Sequence, residues 1–188
     1  MEKNLKQVDT NCLKVVLFGP ESSGKTTLSR ELSKYYKTLW VKEFARKYLQ
    51  DKWDREKKTC ELSDIIPIAV GQIKSENETS LKVSKLLFCD TDILETKVYS
   101  ETYFEGFCDP ILNKYALENK YDLYILTNID IPWVKDDLRD RPKSRKQMFN
   151  AFKNTLIKYK RPFVEVSGDL KKRMKIAINK IDKLLVKY

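Results

Sequence analysis

The chain contains no histidine. That absence excludes a Ser-His triad, an imidazole general base and a His-ligated metal site, so proton transfer must fall to carboxylates, lysines or tyrosines. Cysteine is scarce: Cys12, Cys60, Cys89 and Cys108 are the four, and no two form a CxxC pair, which argues against a thiolate metal cage. Cys89 sits in an apolar run and reads as a small core residue; the unpaired pattern fits a reducing cytoplasm. No apolar run is long enough to span a membrane, and the N-terminus lacks a signal-peptide stretch. Internal repeats, low-complexity linkers, zinc spacings and RNA-binding aromatic signatures are also missing.

What remains is an ordinary globular composition: 188 residues, 41% hydrophobic and 34% charged. This predicts one domain spanning 1–188 with a real core. The formal net charge is +10, much of it in a final segment carrying Lys171, Lys172, Arg173, Lys175, Lys180, Lys183 and Lys187. The surplus reads as solvated helix faces rather than a nucleic-acid surface, and a positive field also suits an enzyme for anionic nucleotides.

Strand-like and helix-like segments alternate. Residues 14–18 form an apolar, β-branched run ending at glycine, the pattern of a buried parallel strand. A helix follows from Lys25, with Leu28, Leu32 and Tyr35/Tyr36 on one face. Further strands are predicted at 38–41, 86–90, 121–127 and 162–166, and helices at 43–53, 93–104 and 110–119. Ser63 is read as the cap of a helix running to about 84, with Pro67 in its first turns. Ser144 and Gln147 suggest a capping box for a helix ending near 159. The last helix shows a stripe of Leu170, Met174, Ala177/Ile178, Ile181 and Leu185. The alternation predicts an α/β fold, a parallel sheet of about five strands with helices on both faces.

The pattern G-x-x-x-x-G-K-[ST] occupies 19–26, after a strand and before a helix, as its mechanism requires. Backbone N–H groups make a nest for the β-phosphate, and the helix dipole faces the anion. Gly19 and Gly24 allow close approach. Lys25 reaches the β- and γ-phosphates, and Thr26 offers a hydroxyl to Mg²⁺. Ser22 and Ser23 either add to the nest or are simply small residues that fit. Glu21 and Thr27 complete the expected ATP-contacting set.

In an open parallel sheet, ligands sit beyond the carboxyl ends of the strands. Asp90, directly after an apolar strand, is expected to hold Mg²⁺, with a helix-capping aspartate as the plainer reading. Asp92 and Glu43 are candidates for gripping a substrate hydroxyl or taking its proton; Glu43 reads equally well as a charge favoured by a helix dipole. Residues 136–146 are almost wholly charged and read as a mobile lid, in which Arg139 first, then Arg141 and Arg145, are expected to cover the phosphates. A merely solvated loop would have the same composition.

These features, taken together, resemble the ribosylnicotinamide kinase domain of the bacterial NadR family. The resemblance rests on 19–26, on Glu43-Phe44-Ala45-Arg46, and on Ser63-Asp64 followed by Ala69-Val70-Gly71-Gln72. It continues through Asp90-Thr91-Asp92, the run from Trp133 to Arg139, and Lys158-Tyr159 leading into Pro162-Phe163. It implies a P-loop kinase fold in particular, and ATP- and Mg²⁺-dependent phosphorylation of nicotinamide riboside to nicotinamide mononucleotide, in NAD salvage. It further implies that Asp92 or Glu43 holds the ribose, that Arg46 and Gln72 line the substrate side within a helical insert at about 43–84, and that Trp133 walls the nicotinamide ring. The chain departs from the multifunctional members in showing no helix-turn-helix or nucleotidyltransferase segment ahead of the first strand, so repressor and adenylyltransferase activities are not expected. Two other readings use the same loop: a kinase for another nucleoside, and a regulatory ATPase or nucleotide switch.

Overall fold

Six consecutive buried residues make β1, Leu13–Phe18, the central strand of the sheet. In a computed structural model that describes residues 2–138 and 144–188, β1 lies between β3 (Leu86–Asp90) and β4 (Leu123–Thr127). The edges are β2 (Trp40–Val41) and β5 (Phe163–Val166), giving the order β2-β3-β1-β4-β5 with every pairing parallel. Strands β1, β3 and β4 are buried along their whole length, as a sheet covered on both faces demands. The chain fills the β2–β3 side first and then crosses to β4, so the sequence order reverses at β1. The crevice beyond the carboxyl end of β1 is therefore the place for a ligand.

Two apolar clusters flank the sheet. On one side Leu28 and Leu32 of α1 (Lys25–Tyr35) and Ala177 and Ile181 of α7 (Leu170–Leu185) pack on Val15, Leu17 and Phe88. On the other, α3 (Ile65–Ser80), α4 (Ile93–Tyr103), α5 (Pro110–Glu118) and α6 (Arg145–Lys158) cover Val16, Phe18 and Tyr124. Phe18 meets the rings of Tyr124 and Phe152 edge-on at 5.3 and 4.9 Å. α2 (Phe44–Glu56) packs on α3.

Several local expectations are corrected. Tyr35 is 57% exposed, and only Tyr36 turns inward, because the helix ends there. Ser63 caps nothing: Glu61 and Asp64 form a reciprocal capping box around the 3₁₀ turn Leu62–Asp64, and α3 stops at Ser80. Ser144 stands at the N-cap of α6 but makes no side-chain cap, so the box with Gln147 does not form. The apolar stripe of α7 is real at Ala177 and Ile181, but Leu170 is 42% exposed and Arg173 is buried in its place. No described helix is long and apolar enough to cross a membrane.

Candidate active site

The loop between β1 and α1 wraps the reversal point of the sheet. Gly19 has φ +140, and a Cβ there would stand 2.8 Å from Thr127 Oγ1 and 3.0 Å from the Thr127 carbonyl. Glycine is thus required by backbone angle and by the nearness of β4 together. Ser23 is buried and ties the loop to itself and to β4, donating to or accepting from Thr127 Oγ1 at 2.6 Å and sharing the Pro20 carbonyl at 2.6 Å. Ser22 instead ties the loop to the segment after β4: its hydroxyl accepts from Val134 N at 3.0 Å and its carbonyl from Arg145 Nη2 at 3.0 Å.

Lys25 is buried. Its ammonium donates to the Gly19 and Pro20 carbonyls at 2.6 and 3.1 Å and pairs with Glu95 at 3.1 Å. The other Glu95 oxygen accepts from Gly19 N at 3.2 Å. Burial opposes charge on Lys25, but Glu95, Glu43 and Asp90 outweigh it and raise its pKa. Burial also pushes the Glu95 carboxyl up; the Lys25 ammonium and the Gly19 N–H are the contacts that favour its anion.

Asp90 ends β3 facing this cluster. One oxygen accepts from Thr26 Oγ1 at 2.6 Å, and the other, Oδ1, is buried with no hydrogen-bond partner. Burial first, then the neighbouring Glu43, raise its pKa to about 7. A buried carboxylate oxygen left open beside a threonine hydroxyl fits Mg²⁺, which binds through one or two protein oxygens and keeps waters and phosphates as its other ligands.

A cavity of about 440 Å³ opens from this cluster. Its polar lining includes Glu21, Ser22, Ser23, Gly24, Lys25, Thr26 and Thr27. Its apolar and aromatic lining comes from Tyr99, Tyr103 and Phe104 of α4 and its C-cap, with Ile65 and Ile68 of α3 and Leu49 of α2. Glu43 and Arg46, at the start of α2, also line it, and Arg46 pairs with Asp136.

Other predicted site residues are not brought to the cavity. Asp92 is 0% exposed and caps α4: Oδ1 accepts from Glu95 N at 2.9 Å and Oδ2 from Tyr124 Oη at 2.8 Å. Burial raises its pKa to about 7. The helix-capping reading weighed for Asp90 thus applies to Asp92 instead. Gln72 is a buried strut, accepting from Phe44 N at 2.9 Å and donating to the Thr91 carbonyl at 3.3 Å. Trp133 lies outside the cavity lining and carries the Arg145 guanidinium 5.6 Å over its ring. Arg145 donates to the Ile131 and Ser22 carbonyls and so ties the segment after β4 to the phosphate loop, with its Nε left without a hydrogen-bond partner among the described residues. Arg139 and Arg141 lie outside the described residues.

Three residues were missed. Glu95 gave no signal beyond an acidic residue in a helix's first turn, which the dipole favours anyway. Thr91 lines the cavity with φ +74, a strained conformation for a β-branched residue at the turn that presents Asp90. Arg173 was counted with the surface lysines but is 3% exposed: it donates to the carbonyls of Ser23 at 2.5 Å, Asn128 at 3.0 Å and Gly168 at 2.8 Å, and pairs with Asp130. It joins the phosphate loop, the end of β4 and the start of α7 in one charged strut.

A parallel sheet with its phosphate loop, buried lysine and open strand-end carboxylate at the reversal point defines a P-loop nucleotide-binding protein of the kinase-like fold. A family model described as an AAA domain matches residues 14–173, and the chain belongs to that family. It is 32% identical over 143 residues to the trifunctional NAD biosynthesis/regulator protein NadR of Salmonella typhimurium, covering 76% of this chain and 34% of that protein. The chain thus spans about a third of the length of this curated relative. Its fold is similar to that of a NadR protein in complex with NR (TM-score 0.75, 22% identity, 92% of this chain and 49% of that one). It also resembles the deoxyadenosine kinase from M. mycoides with products bound (TM-score 0.66, 18% identity, 92% and 100%).

Proposed function

We propose that the protein is an ATP-dependent kinase that converts nicotinamide riboside to nicotinamide mononucleotide. The observation that carries this reading is one cavity lined by the phosphate loop, by Glu43, and by the aromatic and apolar side chains Tyr99, Tyr103, Phe104, Ile65 and Ile68. The similarity to NadR, one structure of which is a complex with NR, supports the choice of acceptor.

In this reading the whole chain works as one kinase domain, and residues 43–84 form the acceptor side. Backbone N–H groups of 19–26 hold the β-phosphate, and Lys25 swings from the loop carbonyls onto the β- and γ-phosphates. Glu43 orients the acceptor hydroxyl and takes its proton, since it is half-buried on the cavity wall while Asp92 is engaged elsewhere. Arg46 borders the same chamber. Thr26 and Asp90 are the residues that would hold Mg²⁺, which when bound neutralises phosphate charge. Glu95, Glu43 and Asp90 all act on Lys25, and a bound cation would ease the approach of a triphosphate to these carboxyl groups. Arg139 and Arg141 remain the candidate lid arginines.

The acceptor is tested by a panel of ribosides ranked by kcat/KM at saturating ATP. Nicotinamide riboside leading the panel supports the reading. The match to deoxyadenosine kinase along that protein's full length favours the second reading, a kinase for another nucleoside; a deoxynucleoside leading the panel by tenfold or more would select it.

A further inference from the structure

Glu95 is the residue at this site that the proposed chemistry leaves without a task. It comes from the first turn of α4, is 2% exposed, and lines the cavity at its phosphate end. One oxygen lies 3.1 Å from the Lys25 ammonium and the other accepts from Gly19 N at 3.2 Å. The first is the group that the loop motif dedicates to phosphate, the lysine reaching the β- and γ-oxygens, and the second opens the same loop.

We propose that Glu95 is a stand-in anion, a carboxylate that holds Lys25 and the start of the phosphate loop in place until a polyphosphate takes Lys25 from it. The inference rests on the nucleotide half of the proposed function and is independent of the acceptor. The physical reason for such a group is the burial of Lys25. A buried ammonium without a counter-charge is strongly destabilising, and two loop carbonyls alone do not neutralise it. Glu95 supplies the missing charge, and its own anion is satisfied by Lys25, by Gly19 N–H and by the positive end of α4. The exchange has an energetic consequence. A polyphosphate must break the Lys25–Glu95 pair and then sit beside a carboxylate, so Glu95 lowers affinity for every ligand whose phosphates reach the nest. It leaves affinity unchanged for one whose phosphates do not. Glu43 and Asp90 also act on Lys25 through space, but Glu95 alone among the described side chains pairs with it directly.

Glu95→Gln is the direct test, because the amide keeps the volume and an acceptor for Gly19 N–H while removing the charge. Affinities for ATP, ADP and AMP are measured by calorimetry on the full chain, with and without Mg²⁺, alongside thermal unfolding. The proposal expects ATP to bind about tenfold tighter, the equivalent of about 1.4 kcal/mol. The gain should be larger without Mg²⁺, smaller for ADP and absent for AMP. Glu95→Asp, which withdraws the charge by one methylene, should show an intermediate gain and serves if the amide fails to fold. Glu43→Gln separates contact from field. Equal tightening by Glu43→Gln would overturn the proposal, as would unchanged or weaker ATP binding in Glu95→Gln, or a parallel change for AMP. Failure of ATP to bind the wild-type chain at all would instead refute the nucleotide reading beneath it.

Discussion

Asp92→Asn separates a structural aspartate from a chemical one. Asp92 is fully buried between Glu95 N and Tyr124 Oη, and burial raises its pKa from 3.8 to about 7. Between pH 4 and 7 the folded state binds more protons at this group than the unfolded state does, so its contribution to stability falls as pH rises through that window. A shift of this size corresponds to roughly 4 kcal/mol between the two ends of the window. Asparagine keeps the cap acceptor for Glu95 N and a polar partner for Tyr124, but it does not titrate. Urea unfolding at pH 5 and pH 8 should therefore show the variant gaining on the wild type as pH rises, by an amount on the order of 2–4 kcal/mol. Asp92→Ala should instead lose about 2–4 kcal/mol, from one cap and one unsatisfied buried hydroxyl. At a temperature where both proteins are folded, acceptor kcat/KM in Asp92→Asn should stay within about tenfold of wild type, because Asp92 does not line the cavity. A parallel pH dependence of the two proteins, or a hundredfold loss of kcat/KM in a fully folded Asp92→Asn, would refute this placement of Asp92.

Lys25→Met should abolish phosphoryl transfer and also destabilise the fold by about 3–5 kcal/mol, because Glu95 is left as an unpaired buried charge; adding Glu95→Gln should recover stability in urea unfolding without recovering turnover. Glu43→Gln should lower kcat by about 10²–10⁴, the range of a general base, while KM for ATP changes less than the turnover does; a kcat within twofold of wild type would remove Glu43 from the chemistry. Arg173→Met removes a buried guanidinium that serves three carbonyls and Asp130. Thermal unfolding should show a loss of about 3–5 kcal/mol, and ATP KM should rise because the loop carbonyl at Ser23 loses its anchor.

Much of the fold is legible in the sequence because its signals are local. The runs at 14–18 and 86–90 are apolar at nearly every position, which only a doubly covered strand tolerates. The loop at 19–26 is constrained residue by residue by the anion it cradles. The site beyond that loop depends on side-chain direction, which linear position does not reveal. Asp90 ends β3 and Asp92 lies two residues on, yet the strained turn at Thr91 sends one toward Thr26 and the other into the core against Tyr124. Arg173 stands among lysines and has their composition signal, but its place on the inner face of α7 puts it under the phosphate loop. Glu95 sits one turn before Tyr99 on the same helix face, so the helix that builds the aromatic wall also delivers the buried carboxylate.

The proposed reaction is a phosphoryl transfer from ATP to a riboside within one cavity. It is tested most directly by incubating the protein with ATP, Mg²⁺ and nicotinamide riboside and following the products by mass. The account predicts nicotinamide mononucleotide and ADP in equal amounts, with little ADP formed when the riboside is omitted. ADP release without mononucleotide, at the same rate with and without the riboside, would contradict it.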